Sequence, residues 1–159
     1  MIHGFDPQIS RRGFTLIEVL ITIGLLGLIA GLGVFVSMDS YRGNLFRAER
    51  NIVVSILQKA RSQAIHNVCV GSVCADGQLH GVHFDPNQYA IFQGAIYNPA
   101  DINNEVIQAN SNVHNSGLAN IVFSQLEGTT SGGTLTLTDN SGHTSAITIN
   151  NEGQIIWTN

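Results

Sequence analysis

Between Phe14 and Val36 the chain runs for 23 residues with one charged side chain, Glu18, and two other polar ones, Thr15 and Thr22. A helix rises about 1.5 Å per residue, so this stretch can cross a hydrocarbon core of about 30 Å, and it constrains where everything else can go. The residues after it are too polar to span again. Arg11 and Arg12 stand just before the stretch, and basic flanks stay cytoplasmic. The reading is a single-pass segment near the N-terminus, a short cytoplasmic leader, and one soluble domain outside the inner membrane.

A secretory signal peptide also combines a basic start with an apolar run, but that run is about 7 to 15 residues long and ends in a small-residue cleavage site. Here the run is longer, carries an acid near its start, and continues into Ser37, Met38, Asp39, Ser40 and Tyr41 with no Ala-x-Ala pattern. The anchor reading is preferred on those departures. Composition agrees with it. Of 159 residues, 43% are hydrophobic and only 11% charged, against roughly a quarter charged in ordinary soluble domains. That excludes a disordered tail and does not resemble a typical cytosolic enzyme. All seven Lys and Arg fall at or before Arg61, while the remainder holds seven acids: Asp76, Asp85, Asp101, Glu105, Glu127, Asp139 and Glu152.

Past the apolar run a helical period continues, with Phe46, Ile52, Val53, Ile56, Leu57, Ala60 and Ala64 at three- and four-residue steps. Arg47, Arg50, Asn51, Gln58, Arg61 and Ser62 fall on the opposite side. No proline lies between Pro7 and Pro86, so one helix is expected from about Phe14 to about His66, on the order of 80 Å long. Its first half is apolar all round and its second half one-sided, as for a helix that leaves lipid or a helical bundle and then packs on a sheet. Gly24, Gly27, Gly31 and Gly33 lower helix propensity in water but permit close helix approach in a membrane.

From Val68 onward the period becomes two. Val82 and Phe84 flank His83, Tyr89 and Ile91 alternate with Ala90 and Phe92, Leu135 and Leu137 alternate with threonines, and Ile147 and Ile149 flank Thr148. Asp85-Pro86-Asn87, Asp139 to Gly142 and Asn150 to Gly153 supply the turns. With Ile121 to Phe123 as a further strand, the expectation is an antiparallel meander in one or two sheets that bury one face on Ile52, Ile56 and their neighbours. The fold class is α+β. Residues 94–117 are Asn-rich without a clear period, and a surface loop is expected there.

No catalytic constellation stands out: there is no Gly-x-Ser-x-Gly elbow, P-loop or His-Glu-x-x-His helix. His66, His114 and His143 read as solvated residues at loops or strand ends, and Asp139 to Gly142 as a turn rather than a calcium loop. Cys69 and Cys74, the only cysteines, bracket a short hairpin through Val70 to Val73. Outside the inner membrane a disulfide is expected, closing a loop so short that it contributes only about 2 kcal/mol. The rival is a zinc-type set with His80 and His83. Those two are three residues apart and would face opposite sides of a strand.

The junction Ser10-Arg11-Arg12-Gly13-Phe14-Thr15-Leu16-Ile17-Glu18-Val19-Leu20 resembles the class III signal of type IV pilins and type II secretion pseudopilins. Leu57 to Ile65 and Gly133 to Trp157, with its Thr-Leu-Thr-Leu, Ser-Gly and Asn-x-x-Gly-x-Ile pattern, are similar to the GspH/FimT minor pseudopilins. The resemblance implies a pilin-like fold: a long N-terminal helix packed on an antiparallel β-sheet head. It also implies that a prepilin peptidase cuts between Gly13 and Phe14 and that the new amine of Phe14 is methylated. The implied division is a leader over 1–13, a membrane or filament-core helix over 14–36, an amphipathic helix half over 37–66 and a β-rich head over 67–159. One departure is Phe35, where pilins often carry a proline that kinks the helix.

An acid inside a membrane helix costs roughly 2.5 to 3.5 kcal/mol, which makes Glu18 a functional candidate. The resemblance supplies its partner, the amine of Phe14 on an adjoining subunit. The plainer alternative is a Glu that snorkels to the interface near Arg11 and Arg12. Cleavage would remove those arginines and Asp6, leaving five basic and ten acidic residues. The expected protein is therefore a non-enzymatic, cofactor-free minor subunit of a type II secretion pseudopilus or a type IV pilus. Its partners are other pilins, the prepilin peptidase and an inner-membrane assembly platform, and its head lies in the periplasm. DNA uptake, known for some FimT-like pilins, is disfavoured because phosphate neutralisation needs Lys or Arg and the head has neither after Arg61. A signal-anchored periplasmic binding protein or enzyme is the alternative class.

Overall fold

The computed structural model describes residues 13–71 and 76–158, apart from the side chains of 34–39. A first compact unit ends at Tyr41 and a second runs Arg42–Asn159. Helix α1, Leu16–Ile65, is continuous and contributes to both. The expectation of one unbroken helix holds.

In the first unit, Leu16–Gly33 has a mean hydropathy of 2.3 and none of it is buried within the chain, so this helix is long and apolar enough to cross a membrane. In the second unit α1 becomes one-sided. Phe46, Val53, Val54, Ile56, Leu57, Ala60 and Ala64 are buried, whereas Ile52, expected in the core, is 37% exposed. Val54 takes its place, because the buried stripe is centred on Val53, Leu57, Ala60 and Ala64 and Ile52 falls at its edge. The helix stops at Asn67, whose φ of 55° reverses the chain. There the Asn67 N–H donates to the Ala64 carbonyl and the Val68 N–H to the Gln63 carbonyl, satisfying two terminal acceptors.

Eight strands follow among the described residues: β1 His80–Phe84, β2 Gln88–Gln93, β3 Glu105–Gln108, β4 Val113–Gly117, β5 Asn120–Phe123, β6 Gly133–Asp139, β7 Thr144–Ile149 and β8 Ile155–Thr158. They form two four-stranded sheets, ordered β3-β2-β1-β5 and β4-β6-β7-β8. Every pairing is antiparallel. The α+β class and the five strands read from periodicity are present.

Two expectations are corrected. The chain is a meander only within β1–β3 and β6–β8, since β5 returns to pair with β1 and β4 pairs forward with β6. The change of sheet between β4 and β5 occurs at Gly117, with φ 102° and space for a Cβ only 2.5 Å from the Thr134 carbonyl oxygen, so a side chain would not fit. The stretch 94–117 is also not simply a loop. It contains β3 and β4, short and largely exposed strands in which only Ile107 and Val113 face the core.

One core serves the second unit. It joins Leu57 and its helix neighbours to Val82, Tyr89, Ile121 and Phe123 of one sheet and to Leu135, Leu137, Ile147 and Ile149 of the other.

Candidate functional site

The N-terminal end of α1 brings together three of the residues singled out above. Gly13, Phe14 and Thr15 precede the helix, and all three are exposed, Phe14 at 81%. The Thr15 carbonyl accepts the first helical bond from the Val19 N–H at 3.2 Å. Its hydroxyl oxygen accepts from the Glu18 N–H at 3.3 Å. Thr15 is therefore the N-cap and Glu18 occupies the third helical position, the Thr-x-x-Glu spacing that favours helix initiation and places an acid at the positive end of the helix dipole. In the sequence alone Thr15 stands as a polar interruption of the apolar run. The Thr-x-x-Glu spacing was the signal that would have identified it. Residues 1–12, which include Arg11 and Arg12, lie outside the described residues.

The cysteine site is seen from one side only. The Cys69 sulfur lies 3.2 Å from the Asp76 carbonyl oxygen. The Val70 N–H donates to Gln93 Oε1 at 2.7 Å, tying this segment to the end of β2. Cys74, with Ser72 and Val73 of the expected hairpin, falls outside the described residues. The histidines of the rival metal set are committed elsewhere. His80 is buried on the core face of β1 and its Nε2–H donates to the Val68 carbonyl at 2.9 Å. His83 faces the other way, with its ring stacked 4.0 Å from Tyr97 and Nδ1 2.7 Å from Asn120 Oδ1.

The second half of α1 carries two polar anchors. Glu49 is only 3% exposed and its Oε1 accepts from the Tyr89 hydroxyl at 2.8 Å and the Asn110 N–H at 3.1 Å. Burial, followed by the hydrogen bond and charge of Glu49, drives the Tyr89 phenol well above its ordinary range, against a smaller opposing contribution from Asn115. Arg61 was assigned to the side of α1 away from the core. It instead donates to the carbonyls of Gly128 at 3.3 Å and Glu152 at 3.0 Å, fastening two loops to the helix. Gly153 passes so close that a Cβ there would lie 2.1 Å from the Gly128 oxygen. The Asn-x-x-Gly-x-Ile pattern at 150–155 is thus a turn shaped around Arg61. Lys59 bridges to Glu105 at 2.6 Å, with both side chains about half exposed.

Asp139 organises the β6–β7 turn. Its Oδ1 accepts from the Ser141 and His143 N–H groups at 2.9 and 2.8 Å, and its Oδ2 accepts from His143 Nδ1–H at 2.8 Å. Burial alone would raise its carboxyl, but the His143 side-chain and backbone bonds and the Ser141 bond outweigh it and hold the group below its usual range. His114 is exposed on β4, as expected for a solvated residue. His66 pairs locally with Ser62. Its Nδ1 lies 2.8 Å from the Ser62 carbonyl oxygen and 3.3 Å from the hydroxyl. The shorter contact places the proton on Nδ1, so that nitrogen is not a base for the serine.

A family model described as Type II transport protein GspH matches residues 50–153, and one described as Prokaryotic N-terminal methylation motif matches residues 9–34. No curated protein and no solved structure gave a match. The first match begins beside the buried Glu49, ends at the turn on Arg61 and takes in all or part of every strand except β8. The second contains Gly13, Phe14, Thr15 and Glu18.

Proposed function

The chain belongs to the GspH family of type II transport proteins, and from that premise we propose that it enters either a type II secretion pseudopilus or a type IV pilus as a minor subunit. The observation that carries this reading is the coincidence of a methylation motif over 9–34 with a helix whose Leu16–Gly33 stretch has no burial within the subunit. Apolar surface of that extent needs lipid before assembly and neighbouring helices after it.

In this reading a prepilin peptidase cuts between Gly13 and Phe14, and the Phe14 amine is methylated. Residues 14–36 span the inner membrane once, the amphipathic half over 37–66 leads out of it, and the head over 67–159 stands in the periplasm until an assembly platform draws the subunit into the filament. Glu18 then meets the Phe14 amine of an adjoining subunit, a pairing that fixes axial register because an unpaired acid in an apolar core is costly. Cys69 and Cys74 close a disulfide, which the oxidising setting outside the inner membrane supports.

The role is structural. DNA binding by the head is disfavoured: it has no Lys or Arg after Arg61, which donates to two carbonyls, and Lys59 pairs with Glu105. The test is incorporation. Glu18→Ala should be cut and methylated like the wild type yet be lost from sheared filaments. Wild-type levels of the variant in filaments would remove the register role of Glu18.

A further inference from the structure

Two residues, Phe14 and Thr15, separate the bond proposed to be cut from Leu16, the first residue of α1. Hydrolysis adds water at the Gly13 carbonyl carbon, breaks the bond to the Phe14 nitrogen, and releases that nitrogen as a protonated amine. A peptide bond inside a helix has its carbonyl directed along the axis and packed by neighbouring turns, so a peptidase needs this segment unwound.

Here the backbone of Gly13, Phe14 and Thr15 is outside the helix and exposed. The feature that fixes the boundary is the Thr15 hydroxyl on the Glu18 N–H, together with the Thr15 carbonyl on the Val19 N–H. Without the cap hydrogen bond the boundary is free to shift, and nothing in the sequence Phe14-Thr15-Leu16 strongly opposes helix there. A residue that caps must itself be non-helical, so a cap at Thr15 leaves Phe14, and with it the Gly13–Phe14 bond, ahead of the helix.

We infer that Thr15 is a positioning residue for processing: by capping α1 it keeps the Gly13–Phe14 bond outside the helix and available to the peptidase. The inference rests on the cleavage reading above and concerns the conformation of this chain as a substrate. It assigns no contact between Thr15 and the enzyme.

The experiment uses the full-length chain in membranes with a co-expressed prepilin peptidase, and follows cleavage by mass and gel shift for Thr15→Ser, Thr15→Asn, Thr15→Val and Thr15→Ala. Ser and Asn are caps at least as good as Thr, Val has its shape without the hydroxyl, and Ala has neither. The first two should be cut at the wild-type rate and the last two roughly 5-fold more slowly at low substrate, equivalent to about 1 kcal/mol. The loss should disappear at saturating substrate, because only the competent fraction of precursor has changed.

Leu16→Pro added to Thr15→Ala should restore the rate. Proline suits the first helical position and excludes helix from the residue before it. Four equal rates overturn the inference, as does loss in Thr15→Asn alongside Thr15→Val, which would indicate direct recognition of the hydroxyl. If the wild type is not cut between Gly13 and Phe14, it is the processing reading itself that fails.

Discussion

Replacing Tyr89 by Phe removes one buried hydroxyl and should destabilise the head by about 2 kcal/mol. The side chain is fully buried on β2 and donates to Glu49 Oε1 at 2.8 Å. Its ring packs edge-on to Phe84 at 5.9 Å, a contact that phenylalanine keeps. Hydrogen bonds to a charged acceptor contribute about 1.5–3 kcal/mol. The value belongs in the lower part of that range because the Asn110 N–H still reaches the carboxylate. Glu49→Ala removes the shared acceptor, leaves the buried Tyr89 donor and the half-buried Asn110 N–H without it and opens a cavity, for an expected cost of about 3–5 kcal/mol. The double variant should fall short of the sum by at least about 1 kcal/mol, since the two groups act on each other. Urea unfolding of a fragment beginning at Arg42, the start of the second compact unit, measures all three, with the single tryptophan, Trp157, as reporter. Alkaline pH adds a second reading. Because the phenol is raised in the folded state, its stabilisation is complete below the unfolded value of about 10 and declines as pH rises beyond it. Tyr89→Phe should lose that part of the decline. A cost below about 0.5 kcal/mol, with additive behaviour in the double variant, would refute the argument that this buried pair fastens α1 to the sheet.

Asp139→Asn should destabilise the β6–β7 turn at neutral pH and flatten the acid limb of the stability curve. The folded carboxyl sits below its usual value, so its contribution is present above about pH 4 and lost as pH falls through the folded pKa. Thermal melts from pH 2 to 7 check both. Gly153→Ala meets the Gly128 oxygen at 2.1 Å from a backbone with φ 73°, and should cost about 2 kcal/mol or more by urea titration of the same fragment. Cys69 and Cys74 should resist alkylation in membrane preparations until a reductant is added; immediate labelling of both thiols contradicts the disulfide.

Long-period signals were the ones the sequence carried best. Leu57, Ala60 and Ala64 recur on one helical face over several turns, and Leu135, Leu137, Ile147 and Ile149 alternate without interruption, so α1 and the β6–β7 hairpin were legible. Strand β3 has only four residues, at a sheet edge with one face open, and Glu105 and Gln108 erase its period. Polar anchors were missed for a different reason. Glu49 falls in step with Phe46, Val53 and Ala60, but a carboxylate on that face has no reason to stay there until the fold supplies the Tyr89 hydroxyl, and only the fold brings the carbonyls of Gly128 and Glu152 to the half-buried Arg61. At the N-terminus the motif residues were visible one by one. Their arrangement as cap and third helical position became visible once the helix boundary was known.

The central claim is that the chain matures by losing everything before Phe14. Intact-mass and N-terminal fragment spectra of the protein purified from membranes test it directly. The account predicts a chain beginning at Phe14 and carrying one added methyl group on its amine. A chain that still begins at Met1, or one cut within the Ser37 to Tyr41 region, would contradict it.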